Sequence, residues 1–113
     1  MYLATKCENM PNAVWIWDMS TLLLNTILIH LNEVKSFKFS PNSQTLVIGT
    51  GQARVFVWTP KGACVIDLPR NEYSIQAPSE LHVKRVLWNP LGANLVFTDT
   101  NVAILAFPQN ELL

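Results

Sequence analysis

Two histidines, eight acidic residues and two cysteines are the side chains here with the acidity or nucleophilicity that catalysis needs. A catalytic histidine requires a nucleophile or carboxylate held within hydrogen-bond reach. No spacing marks such a partner for His30 or His82. His30 reads as a structural residue satisfying buried donors, and His82 as a loop histidine. Asp67, Glu72, Glu80 and Asp99 are scattered singles and read as solvated charges, not as an acid pair. No glycine-rich phosphate loop occurs, and no His/Cys group has metal-ligand spacing. Cys7 and Cys64 are too few for a disulfide scaffold and form no Cys-x-x-Cys. They are expected to be free thiols in a reducing compartment. Cys64, inside Ala63-Cys64-Val65-Ile66, is expected to be a small buried apolar residue. The chain is therefore expected to have no catalytic residues, metal or cofactor.

Binding chemistry is bounded by charge. Lys plus Arg equals Asp plus Glu, so no basic stripe supports nucleic-acid binding. Lys35, Lys38 and the pair Lys84-Arg85 read as solvated strand positions. No stretch reaches the ~18 apolar residues of a spanning helix. The richest run, Leu22 to Leu31, is broken by Asn25, Thr26 and His30, so no membrane partner is expected. Half of the 113 residues are apolar and only 14% are charged, against roughly 25% in an average soluble domain. Such a surface is expected to be covered by more protein.

The elements that position these residues read as strands. Tyr2–Thr5, Ala13–Asp18 and Leu22–Ile29 are rich in aromatic and β-branched residues. So are Val34–Phe39, Thr45–Gly49, Ala53–Trp58 and Ala63–Leu68, and then Val83–Trp88, Asn94–Thr98 and Val102–Phe107. Turns are expected at Ser40-Pro41-Asn42-Ser43, at Gly49 to Gln52 and at Pro60-Lys61-Gly62. Lys6–Asn12, with Pro11, and Pro69–His82, with Pro69 and Pro78, are expected to be loops. Trp17 and Trp58 lie 41 residues apart, while Phe39 to Trp88 and Trp58 to Phe107 are steps of 49. Counting aligns Val14, Val55 and Ile104; then Trp15, Phe56 and Leu105; then Trp17, Trp58 and Phe107. The eight extra residues fall in Pro69–His82. Three of the four tryptophans follow the repeat, which favours core packing over a ligand cage.

The stretch from His30 through Phe39-Ser40-Pro41-Asn42 and Leu46–Thr50 to Trp58 resembles one blade of a WD-repeat β-propeller, and Trp17-Asp18 is the dipeptide of that family. The fold expected is all-β: a partial WD-repeat propeller of about two and a half four-stranded antiparallel blades, ten strands in an incomplete ring. Residues 1–29 would be strands b, c and d of one blade, 30–68 a full blade, 69–82 a loop insertion, 83–107 strands a, b and c of a third, and 108–113 a tail. Propellers close with four to eight blades, so the remaining blades are expected elsewhere, with this chain as the C-terminal portion of a longer propeller or a truncated isoform. The structural positions implied are Trp17, Asp18, His30, Thr50, Trp58, Trp88 and Phe107. In the family's His–Ser/Thr–Asp–Trp network, His30, Thr50 and Trp58 fit by spacing, and Gln52 stands where Asp would be.

Two loops interrupt the repeat, and loops on a rigid scaffold are favoured recognition sites. A partner is expected at Asn9, Met10, Pro11 and Asn12, and at Arg70, Asn71, Glu72 and Tyr73. Tyr2–Thr5 and Asn9–Asp18 further resemble the WRAP-type WD-repeat proteins of centrosomes and spindle poles. That resemblance implies a cytoplasmic, non-enzymatic scaffold at the centrosome or another microtubule-organising centre. It would serve microtubule anchoring and spindle and cilium assembly, with a satellite anchoring protein and a minus-end-directed kinesin as partners. Two alternatives stand beside it: a WD-repeat scaffold of a translation or RNA-processing complex, and the accessory propeller of a hydrolase.

Overall fold

The computed structural model describes residues 1–68, 82–100 and 102–108. The chain divides into two units, Met1–Val34 and Lys35–Leu113. Among the described residues there are ten strands in three antiparallel sheets of three, four and three strands, as the repeat predicts.

The first unit is a meander of β1 (Tyr2–Cys7), β2 (Met10–Asp18) and β3 (Leu23–Ile29). Alternation along β2 buries Val14 and Ile16 completely on one face and places Trp15 and Trp17 on the other. The two indoles stack at 6.5 Å with planes 14° apart, and Trp17 Nε1 donates to Thr5 Oγ1 at 3.0 Å.

The loop expected over Lys6–Asn12 is instead a tight hairpin. Lys6 and Cys7 belong to β1, Met10 to Asn12 belong to β2, and only Glu8 and Asn9 make the turn. Proline usually argues against a strand because it cannot donate to the ladder. Pro11 falls where the β1–β2 register slips, between the pairs Thr5↔Trp15 and Cys7↔Met10. Such irregularities leave residues outside the ladder. The Pro11 carbonyl is still used, accepting from Val34 N at 2.9 Å.

The second unit holds a four-stranded sheet, β4 (Ser36–Phe39), β5 (Leu46–Gly49), β6 (Arg54–Thr59) and β7 (Gly62–Asp67), followed by β8 (Arg85–Trp88), β9 (Leu95–Thr98) and β10 (Ala103–Ala106). Val47 and Val55 of the first sheet pack with Val83, Val86, Leu95 and Phe97 in one buried cluster. Hydrogen bonds stitch the seam. Val86 N donates to Ser36 Oγ at 3.1 Å, Trp88 Nε1 to Lys38 O at 3.1 Å, and Asn42 Nδ2 to Leu91 O at 2.7 Å. Val83 exchanges backbone bonds with Gly51 and Gln52 at 3.1 and 3.2 Å. Gly49 permits the close approach, since a β-carbon there would lie 2.7 Å from Val83 Cγ1. Gly92 has φ 74°, a left-handed conformation, and abuts the Asn42 side chain.

Two expectations are corrected in this unit. Cys64 is exposed, like every residue of β7. The run Ala63–Ile66 is apolar enough for a core, but among the described residues β7 is an edge strand with no strand paired to its outer side. The third repeat is also out of phase with the counting. Leu46 pairs with Trp58 and Ile48 with Phe56, whereas Leu95 pairs with Ala106 and Phe97 with Ile104. The β9–β10 hairpin is one residue shorter than β5–β6, so Ile104 matches Phe56 and Ala106 matches Trp58. Phe107 is not the counterpart of Trp58: it lies beyond β10, 64% exposed. A one-residue slip exchanges the faces of a strand, which is why Phe107 and Leu105 are outside while Ala106 is half-buried.

Candidate interaction surface

Asn9 is exposed at the tip of the β1–β2 hairpin and Met10 is exposed beside it. Pro11 and Asn12 are committed to the first unit itself. Asn12 Nδ2 reaches the carbonyls of His30 and Leu31 at 3.3 and 3.2 Å, and His30 N donates to Asn12 O at 2.8 Å. Asn12 therefore holds the chain leaving β3, and only the Glu8-Asn9-Met10 end projects outward. Arg70, Asn71, Glu72 and Tyr73 lie outside the described residues.

The repeat positions have local structural work. Asp18 accepts from Ser20 N at 2.9 Å and Ser20 Oγ at 2.6 Å, which holds its carboxyl below the ordinary carboxylate value and fixes the turn after β2. Trp58 is buried and meets Phe39 edge-on at 6.4 Å. Thr50 follows β5 at the end away from Trp58, which pairs with Leu46. Its hydroxyl is buried with no hydrogen-bond partner among the described residues. A buried unmade hydrogen bond costs about 1–3 kcal/mol. Thr50→Val is expected to raise stability by about 1 kcal/mol, read as a higher urea midpoint with unchanged slope.

His30 belongs to the first unit and is half-buried; desolvation lowers its pKa from 6.5. The unfolded chain then binds a proton at a higher pH than the folded one. Stability contributed by neutral His30 is complete above about 6.5 and declines as pH falls toward its folded pKa. Unfolding midpoints of the wild type are expected to fall over that interval, and His30→Gln is expected to flatten the slope.

Charge counting missed one cluster. Asp99 is not an isolated solvated carboxylate. It accepts from His82 N at 2.9 Å and from Thr100 N at 2.7 Å, and these bonds hold its carboxyl below the ordinary value. Lys84 Nζ lies 3.6 Å from Asp99 and donates to Thr100 Oγ1 at 2.6 Å. His82 Nδ1 is 3.6 Å from the same carboxylate. The signal was the β8–β9 hairpin: its Arg85↔Thr98 pair sets position 84 opposite position 99. This cluster ties the start of β8 to the end of β9 and holds no nucleophile. Among the described residues, no group of three His, Cys, Asp or Glu could hold a metal ion, and no helix is long and apolar enough to cross a membrane.

Where the seam of the second unit widens, a groove of about 400 Å³ opens among Val57, Ile66, Leu68, Trp88, Phe97 and Ala106. Its walls are almost wholly apolar. With edge strands β7 and β10 on either side, it is suited to apolar protein surface, not to a polar substrate.

No family model matches the chain. It is 36% identical over 112 residues to the WD repeat-containing protein WRAP73 of Mus musculus, which covers 97% of this chain and 22% of the relative. The chain belongs to the WD-repeat family. An uncharacterized WD repeat-containing protein of Schizosaccharomyces pombe is 25% identical over 107 residues, covering 76% of this chain and 22% of that protein. The chain thus spans about a fifth of the length of both curated relatives. Among solved structures, the C-terminal WD40 domain of Sif2 superposes with TM-score 0.63 at 15% identity, over 88% of this chain and 30% of that one. A chain of the mitotic checkpoint complex superposes with TM-score 0.62 at 18% identity, over 92% and 32%. These superpositions show the WD-repeat fold. The three sheets are accordingly blades, with β1–β3, β4–β7 and β8–β10 as the first, second and third.

Proposed function

We propose that this WD-repeat chain is a non-enzymatic protein-interaction scaffold of the WRAP type, acting at the centrosome or spindle poles in microtubule anchoring and in spindle and cilium assembly. The observation that carries the reading is the 36% identity to mouse WRAP73, which runs through 97% of the chain, not through one motif. The resemblance of Asn9–Asp18 to WD repeat-containing protein 8 supports the same branch. The partners proposed from that resemblance are a satellite or spindle-pole anchoring protein and a minus-end-directed kinesin. The apolar groove and the projecting Glu8-Asn9-Met10 hairpin suit such a role, since both present contact surface without reactive groups.

The test is co-purification and imaging of the tagged chain in dividing cells. Enrichment with γ-tubulin at spindle poles is the expected result. Enrichment with ribosomes or RNA-processing particles, and none at the poles, overturns it.

A further inference from the structure

The last strand of the second blade, β7, has an open edge: among the described residues no strand pairs with its far side. This edge is not a face awaiting another blade, because the third blade packs on a face of the second and leaves the edge as it is. Edge strands are commonly blunted by lysine, proline or a bulge. β7 reads Gly62-Ala63-Cys64-Val65-Ile66-Asp67, with no lysine or proline and a single charge at its end. Its pairs with β6 run from Arg54↔Asp67 to Thr59↔Gly62 without a register shift. Val65 and Ile66, on opposite faces, are 53 and 47% exposed. A flat apolar edge of this kind is a template for a further strand.

The main chain decides which residues such a strand can meet. Leu68 N donates to Ala53 O at 2.9 Å, which continues the β6–β7 register by one residue. Main-chain groups of successive residues point to alternate sides of a strand. Those of Cys64 and Ile66 are therefore turned toward β6, and those of Ala63, Val65 and Asp67 face outward. An added antiparallel strand has to match outward residue to outward residue. A second β7 does so when Ala63 of each copy lies opposite Val65 of the other and Cys64 lies opposite Cys64. The same register sets Lys61, just before the strand, against Asp67 at its end. Lys61 is exposed, and Asp67, which meets Arg54 at 3.3 Å in its own blade, keeps a side chain 76% exposed. The neighbouring permitted registers break both of these charge pairs.

We infer that β7 is a self-pairing edge: two copies of this chain join antiparallel through it, about a two-fold axis at Cys64. The two four-stranded sheets become one continuous sheet. The contact is isologous, so each copy uses its edge once and assembly stops at the dimer. No relative placement of the two units enters, and the inference is independent of the centrosomal reading.

Light scattering coupled to gel filtration, on the full chain across micromolar concentrations, tests it. The mass is expected to rise from one chain toward two and no further. Lys61→Glu should raise the dissociation constant by roughly fivefold, because the two-fold repeats the lost charge pair. Cys64 reports the register. A non-hydrogen-bonded antiparallel pair brings Cα atoms to about 4.5 Å, inside the roughly 4.4–6.8 Å that a disulfide spans. In a Cys7→Ser chain, diamide should therefore cross-link two Cys64 thiols, taking up the two protons and two electrons they release. Val65→Pro removes an outward N–H and none bonded to β6, so it should give a folded monomer that does not cross-link. If Val65→Pro loses its β-sheet circular dichroism, Ala63→Pro probes the same edge. A wild type monomeric at every concentration overturns the inference, whether the edge stays bare or serves a different protein. Ala63 and Val65 amides protected from exchange in the monomer overturn it too, because the chain would then cover its own edge. So does a dimer that survives the folded proline variant, or one whose Cys64 thiols do not cross-link.

Discussion

Phe97→Ala is expected to lower stability by about 3–5 kcal/mol, the range for deleting a well-packed aromatic. Phe97 is 3% exposed and sits in a buried cluster that joins the second and third blades, with Val47, Val55, Val86 and Leu95 around it. It also lines the groove beside Trp88 and Ala106, so its removal enlarges an existing space instead of closing one. A loss of that size approaches the whole stability of a small domain. Urea unfolding followed by tryptophan fluorescence should show the second unit's transition move to the lowest denaturant or vanish. Arg85→Ala, at an exposed site on β8, should shift the midpoint by less than about 0.5 kcal/mol. A Phe97→Ala chain with a wild-type midpoint would mean that this cluster is not the core.

Gly49→Val should rank second, at about 2–3 kcal/mol. The glycine is buried in β5, and even a single β-carbon would stand 2.7 Å from Val83 Cγ1. Val83 is itself fully buried and held by two backbone bonds to Gly51 and Gln52, so it has nowhere to retreat. Overpacking of this kind typically costs 1–3 kcal/mol. The discriminating measurement is a double-mutant cycle. Val83→Ala alone loses packing, but in the Gly49→Val background it should restore part of the stability, an interaction of about 1 kcal/mol or more. Strict additivity would show that the two side chains do not meet.

Much of the fold was legible because its strands are short, apolar in alternation and punctuated by Pro, Gly and Asn. What counting could not see was which connection had lost a residue. Trp58 and Phe107 are separated by the same step as Phe39 and Trp88, yet one of those pairs is equivalent and the other is not. The missing residue lies in the β9–β10 turn, and only hydrogen-bond pairing reveals it. Pro11 misled for a related reason, since a register slip let it occupy a strand. Cys64 misled because burial depends on whether a neighbour exists, and Ala63–Ile66 spells the same in a middle strand as in an edge strand. Of the candidate site, Asn9 and Met10 are exposed at the β1–β2 hairpin, and Asn12 is bound into its own blade. Asp99 was invisible as a partner because its contacts are set by hairpin register and not by sequence distance.

Three side-chain bonds across the second unit's seam, among the described residues, share a trait. Each has a side chain at one end, Ser36, Asn42 or Trp88, and a main-chain atom at the other, on Val86, Leu91 or Lys38. The accepting carbonyls are supplied by any amino acid, and the donating N–H at position 86 by any but proline. Lys38 and Leu91, both exposed, can therefore drift over generations without loosening the joint, whereas a change at Asn42 or Trp88 removes a fastening outright. Divergence along this chain should accumulate unevenly, at the sites that lend only their backbone.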